Sequence, residues 1–77
     1  MLGDNYGEIK YCIMDRIKRV YWTGSRMSSL EGYAKLWTRE GNAIKALNKL
    51  RAIMYKNGED YSSLMIGRIF LEFHVME

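Results

Sequence analysis

The C-terminal stretch IGRIFLEFHVME alternates between two sets of positions with a period of two residues. One set is apolar, and the other is mostly polar with one phenylalanine. The apolar set is Ile69, Leu71, Phe73 and Val75, and the other is Arg68, Phe70, Glu72 and His74. This period is typical of a strand that rests one face on a core. It predicts a strand from about Leu64 to Met76, in which Gly67 marks a bulge or a bend.

Residues 40 to 57 follow a helical pattern instead. Their apolar positions recur at spacings of three and four, which predicts an amphipathic helix: Ala43, Ile44, Leu47, Leu50, Ile53 and Met54. Thr38 is a suitable N-cap, and Asn57-Gly58 supplies a left-handed stop. The opposite side of this helix carries Lys45, Lys49 and Lys56, which are therefore expected to face solvent.

The first third of the chain is rich in strand-forming residues. Two runs, Ile9 to Met14 and Ile17 to Trp22, are split by Asp15-Arg16 and favour strands, either as a hairpin or as one long strand. The helical spacing of Ile9, Ile13 and Ile17 leaves a helix open as an alternative. Residues 24 to 32 are polar and bounded by glycines, which predicts a loop, and a short strand from Tyr33 to Trp37 is expected to lead into the helix.

Together these elements predict a single α+β domain over residues 1–77. The simplest architecture is an antiparallel sheet of three or four strands with one amphipathic helix packed on one face. A chain of 77 residues is too short for two cores. The core is expected to contain alternate residues of the first strand together with Ile44, Leu47, Leu50, Met54, Ile69, Leu71, Phe73 and Val75.

Candidate chemistry is sparse. One Cys and one His give no metal-ligand pair, so no metal or other cofactor is expected. We expect Cys12 to be a small buried hydrophobe and His74 to be solvated. Ser25, Ser28 and Ser29 lack a nucleophile-elbow context, and there is no phosphate-binding loop, so the chain is not expected to be an enzyme. The absence of an 18-residue apolar run and of signal-peptide features predicts a cytoplasmic location without membrane contact.

A binding function remains, and large adaptable side chains favour a protein partner. Met27 and Leu30 in the loop, and Phe70 on the last strand, are expected to be exposed, which is typical of contact surfaces. The predicted partner-binding set is Tyr21, Trp22, Arg26, Met27 and Leu30, with Arg16 and Arg19 as electrostatic support. A sheet edge could also pair with a second copy, giving a homodimer.

Nucleic-acid binding is the alternative. The net charge is +3, and no acidic residue lies between Glu40 and Glu59. Basic and aromatic residues interleave in DRIKRVYWTGSR, a combination that can hold phosphates while rings stack on bases. The predicted nucleic-acid face is formed by Lys45, Lys49 and Lys56, and it would bind without sequence preference.

The segment from residue 33 to residue 76 resembles small bacteriophage accessory proteins. The resemblance lies in a strand, a Thr-x-x-Gly turn, an amphipathic helix and a final strand, and it rests on Leu36, Trp37, Thr38, Gly41, Ala43, Lys45, Ala46 and Leu47. It implies a host-takeover or anti-defence protein that binds and inhibits a host protein of defence, transcription or replication, in the host cytoplasm.

Overall fold

The computed structural model describes residues 5 to 74, and the side chains of residues 7 to 72. Four antiparallel strands form one sheet in the order β3-β2-β1-β4. The strands are β1 (Asn5–Asp15), β2 (Val20–Trp22), β3 (Met27–Ser28) and β4 (Leu64–His74), and the helix is α1 (Glu40–Lys56). The predicted α+β class, an antiparallel sheet of three or four strands with one helix packed on one face, is confirmed, and the sheet has four strands.

The pairing of β1 with β4 is the longest feature of the sheet. It runs without interruption from Asn5 opposite His74 to Asp15 opposite Leu64. Of the bulge or bend predicted at Gly67, the bulge is wrong, since Gly67 lies in register opposite Cys12. A Cβ atom on Gly67 would lie 3.1 Å from the Met14 sulfur and 3.2 Å from the Cys12 sulfur. The glycine thus makes room for the side chains of its neighbours.

The helix packs on the face of the sheet that carries Ile13, which we call the front face. Ile13 has no exposed surface and forms the core with Leu47 and Leu50 of α1 and with Leu64. Because residues directly opposite each other share a face, Ile66, the partner of Ile13, also lies in front, where it packs against this core.

The predicted core residues Ile69 and Leu71 lie on the opposite, back face. They alternate with Leu64 and Ile66 along β4, so they cannot contact the helix, although both are half-buried. The prediction was wrong because both alternate sets of β4 are apolar in part, and α1 covers only the beginning of the strand. The side chains of Phe73 and Val75, also predicted to be inside, lie outside the described residues.

The helix itself agrees well with its predicted span. Ala43, Leu47 and Leu50 are buried and Met54 is half-buried, whereas Ile44, predicted to be inside, is 42% exposed. Ile44 lies at the margin of the apolar stripe, beyond the reach of the narrow sheet. The side chains of Lys45, Lys49 and Lys56 are exposed, as predicted.

The two ends of α1 differ in how they are closed. The predicted cap Thr38 is wrong: the N-cap is Arg39, which makes no side-chain capping bond, and the Thr38 hydroxyl accepts a hydrogen bond from Lys10 Nζ at 2.8 Å. The predicted stop is confirmed. Gly58 has φ = 74°, and the N–H of Glu59 returns to the carbonyl of Met54 at 2.8 Å.

Residues 5 to 28 form two successive hairpins. Met14 pairs with Tyr21, and Trp22 pairs with Met27, so the segment predicted as a loop from residue 24 contains β3. Ile17 lies in the turn between β1 and β2 and is 72% exposed, which shortens the predicted second strand to three residues.

The predicted strand from Tyr33 to Trp37 is replaced by a 3-10 turn, Glu31–Tyr33, and an extended segment. Only Trp37 makes a strand-like bridge, to Tyr11, with both reciprocal N–H···O bonds at 2.8 Å. The extended segment that precedes Trp37 is also held to β2, because the N–H of Lys35 donates to the carbonyl of Trp22. Trp37 thus occupies the edge of β1 that the short β2 does not reach.

The first turn is closed by a buried carboxylate. Asp15 is only 4% exposed, and its Oδ1 accepts the N–H groups of Ile17 and Lys18, each at 3.0 Å. The Lys18 amide contributes most to holding the pKa of Asp15 below its ordinary value, and Ser63 and the Ile17 amide add to it, although burial acts in the opposite direction. The ionised form of Asp15 therefore stabilises the fold.

Because the folded-state pKa of Asp15 is lowered, its contribution is present above the unfolded pKa of about 3.9 and is lost as the pH falls further. We expect Asp15→Asn to lower the free energy of unfolding by about 1–2 kcal/mol at neutral pH. Urea unfolding between neutral and acidic pH measures this difference, which should shrink as the pH falls. Asp60→Asn removes an exposed carboxylate that also accepts an amide N–H, from Ser62, and this variant is the comparison: it should lower stability less than Asp15→Asn, because solvent screens an exposed charge. A difference that stays constant with pH would contradict the assigned role.

Candidate partner-binding groove

A groove of about 290 Å³ lies between the second half of α1 and the β2–β3 hairpin. Its apolar walls come from both elements, and one residue of each charge completes the lining: Trp22, Arg26, Met27, Leu50, Ile53, Met54 and Glu59. Three residues of the predicted partner-binding set, Trp22, Arg26 and Met27, are thus brought together in one place.

The register of the hairpin places Trp22 and Met27 in this groove. They are direct cross-strand partners and share the front face with Ile13, so both pack against the core, and both are half-buried. The prediction that Met27 is exposed is therefore correct only for part of its side chain. Each of these two side chains presents one surface to the core and another to the groove.

A tight turn fixes Arg26 at the mouth of the groove. The backbone N–H of Thr23 donates to the carbonyl of Arg26 at 2.8 Å, and the Thr23 hydroxyl donates to the same oxygen at 2.9 Å. The Arg26 amide in turn donates to the Thr23 hydroxyl at 3.2 Å. Gly24, with φ = 105°, makes this turn accessible without steric cost.

The groove is apolar inside and charged at its rim. Arg26 and Glu59 are both exposed, and they offer one positive and one negative group to anything that enters. Its volume lies at the lower limit for small-molecule sites. Such an arrangement can accept one large apolar side chain whose flanking residues are polar or charged.

The other predicted contact residues lie elsewhere. Tyr21 pairs with Met14 and therefore lies on the back face, where its hydroxyl donates to Glu31 at 3.4 Å. Leu30 is 57% exposed, as predicted, and lies beyond the hairpin. Arg16 and Arg19 are exposed in the β1–β2 turn. Strand alternation separates Tyr21 from Trp22, which the composition of the segment alone does not reveal.

Four groove residues escaped the sequence analysis as contact residues: Leu50, Ile53, Met54 and Glu59. The sequence did contain an indication of the helix side of the groove, since Ile53 and Met54 are consecutive and widen the apolar stripe at the end of the helix. Ile53 is 56% exposed, which shows that the stripe extends beyond the core.

The basic residues form two separate sets. Lys45, Lys49 and Lys56 fall within about 40° of one another around the helix axis, on the side away from the sheet. Lys18 lies in the β1–β2 turn, where its charge helps to lower the pKa of Asp60, after the larger effect of hydrogen bonding to Ser62. An acidic residue therefore accompanies the basic turn, whereas the sequence between Glu40 and Glu59, which carries the three lysines, contains no acidic residue.

The described residues contain little other candidate chemistry. Cys12 is 1% exposed, and burial raises the pKa of its thiol, with the Glu31 carboxylate adding to the effect, so it is confirmed as a buried residue. No group of three potential metal ligands occurs within residues 5 to 74, and within the same range no helix has the length and apolarity to cross a membrane. The side chain of His74 lies outside the described residues.

Comparisons of the chain with protein-family models, with curated proteins and with solved structures gave no match.

Arg19 offers a test of the turn that carries it. Its φ of 56° is left-handed, a conformation that costs a non-glycine residue about 1–2 kcal/mol. A glycine at this position would relieve that cost, but part of the stability gained would be offset because glycine makes the unfolded chain more flexible. We expect Arg19→Gly to raise the free energy of unfolding by about 0.5–1 kcal/mol, as measured by urea denaturation.

The matched control for this change is Arg16→Gly. Arg16 lies in the same turn and is equally exposed, but its φ is not positive, so the substitution should lower stability. Equal effects of the two substitutions would show that the left-handed backbone at residue 19 carries no cost.

Proposed function

We propose that this protein acts without catalysis by binding another protein, and that the groove receives one large apolar side chain of that partner. The observation that carries the proposal is the shared role of Trp22, Met27 and Met54. Each packs against the core and also lines the open groove. Aromatic and methionine side chains are enriched at the centres of protein interfaces, and methionine adapts readily to the shape of a partner.

The rim of the groove indicates the chemistry of the partner segment. Arg26 and Glu59 flank the apolar walls, so a segment with an acidic residue on one side of its apolar anchor and a basic residue on the other would be complementary. Charges at the edge of an interface contribute more to association rate and specificity than to affinity. The apolar anchor would therefore supply most of the binding free energy.

A further part of this proposal concerns the identity of the partner. The resemblance of residues 33 to 76 to small bacteriophage accessory proteins supports a host protein of defence, transcription or replication. Binding at the groove would inhibit or modulate that protein, in the host cytoplasm.

The test uses two isoleucines of α1. Ile53 lines the groove, while Ile44 lies on the same helix outside it, and both are exposed, at 56% and 42%. We expect Ile53→Gln to weaken binding to the partner by about 5- to 30-fold, because it places an amide where an apolar contact forms. Ile44→Gln should leave the affinity unchanged. The partner is first captured from nuclease-treated bacterial lysate, and its affinity for each purified variant is then measured by calorimetry.

Equal affinities for the Ile53→Gln and Ile44→Gln variants would remove the groove from the proposal. Circular dichroism and urea unfolding establish that both variants are folded. Loss of all captured protein after nuclease treatment would favour the second candidate function.

That second candidate is nucleic-acid binding without sequence preference, and the lysine stripe is the observation that favours it. Three phosphate contacts from Lys45, Lys49 and Lys56 would give a slope of about −2.7 for log affinity against log salt. A fourfold rise in salt would then weaken binding about 40-fold. An apolar groove predicts little salt dependence.

Titration of duplex DNA at two salt concentrations, with the wild type and a variant carrying Gln at all three lysines, measures this directly. Nucleic-acid binding predicts that the variant loses both the affinity and the slope. An unchanged affinity in the variant would remove the lysine stripe as a phosphate-binding site.

A further inference from the structure

A long strand forms one edge of the sheet. β4 has eleven residues, and in the part of the chain that the structure describes no strand lies on its outer side. Long edge strands tend to pair with other chains, and proteins usually shorten them or interrupt them with proline or bulges. β4 contains no proline and its register with β1 is continuous, and the charged side chains that it carries, Arg68 and Glu72, are of opposite sign.

The direction of the backbone groups along β4 follows from the Trp37 bridge. The N–H and C=O of Tyr11 bond to Trp37, so they point away from β4, and Tyr11 and Arg68 form a non-hydrogen-bonded pair. By alternation, the odd-numbered residues of β4 bond to β1 and the even-numbered ones direct their N–H and C=O outward. The carbonyl of Leu64 agrees with this, since it accepts a hydrogen bond from Arg51 Nη2 at 3.2 Å.

That bond from Arg51 occupies the helix end of the edge. The outward-directed positions that follow are Ile66, Arg68, Phe70, Glu72 and His74, and Phe70 is the middle one. A two-fold axis at Phe70 would therefore place each of these outward-directed residues opposite an outward-directed residue of the second copy.

We propose that β4 pairs antiparallel with β4 of a second copy of this chain, about a two-fold axis at Phe70. In this register Arg68 lies opposite the second copy's Glu72, and Glu72 lies opposite the second copy's Arg68. The backbone groups of all these residues point toward the partner strand, so they are in position for reciprocal N–H···O bonds.

Charge selects this register over its neighbours. Shifting the axis to Arg68 or to Glu72 would place like charges opposite each other, which destabilises antiparallel pairs. Axes at Ile69 or Leu71 would leave neither charge opposite its complement. Only the axis at Phe70 forms two opposite-charge pairs.

An apolar row on the front face supports the same register. Phe70 is 61% exposed and lies directly opposite Ile9, which is 45% exposed. In the dimer these two residues and their symmetry mates would form one row across four adjacent strands. On the back face, Ile69 would lie opposite the second copy's Leu71, extending the apolar contact between the half-buried side chains of β4.

The dimer is independent of the proposed groove. The groove lies at the β2–β3 side of the sheet and β4 forms the other edge, so the dimer would carry two accessible grooves. Failure of either proposal leaves the other unaffected.

The test is a charge exchange in the full chain. We expect the wild type to dimerise in sedimentation velocity over a range of concentrations. Arg68→Glu and Glu72→Arg should each raise the dissociation constant by about tenfold, because two-fold symmetry creates two like-charge pairs in each. The double variant restores both opposite-charge pairs and should return close to the wild-type value.

Amide hydrogen exchange identifies the surface that pairs. Raising the concentration of wild-type protein should slow exchange at the even-numbered amides of β4, such as Phe70, and leave the odd-numbered amides, such as Ile69, unchanged. The odd-numbered amides already bond to β1 and are the internal control.

The proposal is overturned if the wild type is monomeric at all concentrations, or if the double variant dimerises no better than the single ones. A dimer whose even-numbered β4 amides stay unprotected would show that another surface pairs. Protection of these amides only after a different protein is added would assign the edge to that protein's strand instead.

Discussion

The register between β1 and β4 is the constraint on which the rest of the molecule depends. Because Ile13 lies opposite Ile66, both present their side chains to the helix, and Cys12 and Met14 take the other face around Gly67. A slip of one residue would move every side chain of a strand to the opposite face. The buried Asp15 closes the hairpin at the end of this pairing, and so it anchors β2 as well.

The helix covers only part of the β1–β4 pair, and the two ends of the molecule differ as a result. The protein measures 53 × 24 × 18 Å, and its radius of gyration of 14.9 Å exceeds the value of about 11.5 Å for a compact domain of this length. At the end of the molecule that carries the helix, Trp22, Met27 and Met54 both pack against the core and line the groove. Farther along, Ile9 and Phe70 lie on the same face as the core but without a helix above them.

A small core explains why the same side chains both stabilise the fold and line the groove. The buried cluster of Ile13, Leu47, Leu50 and Leu64 is completed by partly buried residues, among them Trp22 and Met54. A domain of this size buries a limited fraction of its surface, and further apolar burial in an interface is a common supplement. The groove and the β4 edge are two places where the described structure offers such burial.

The sequence by itself determined the helix, its glycine stop, the final strand and the exposed lysine stripe, because each depends on local periodicity or on backbone conformation. Of the proposed groove, it indicated Trp22, Arg26 and Met27 through their composition, but not the helix residues opposite them. Only the tertiary structure decided which face of β4 is inside, that Tyr21 points away from Trp22, and that Thr38 bonds to Lys10. The physical reason is that both faces of β4 are apolar in part, so the position of the helix, a long-range contact, decides which face is covered.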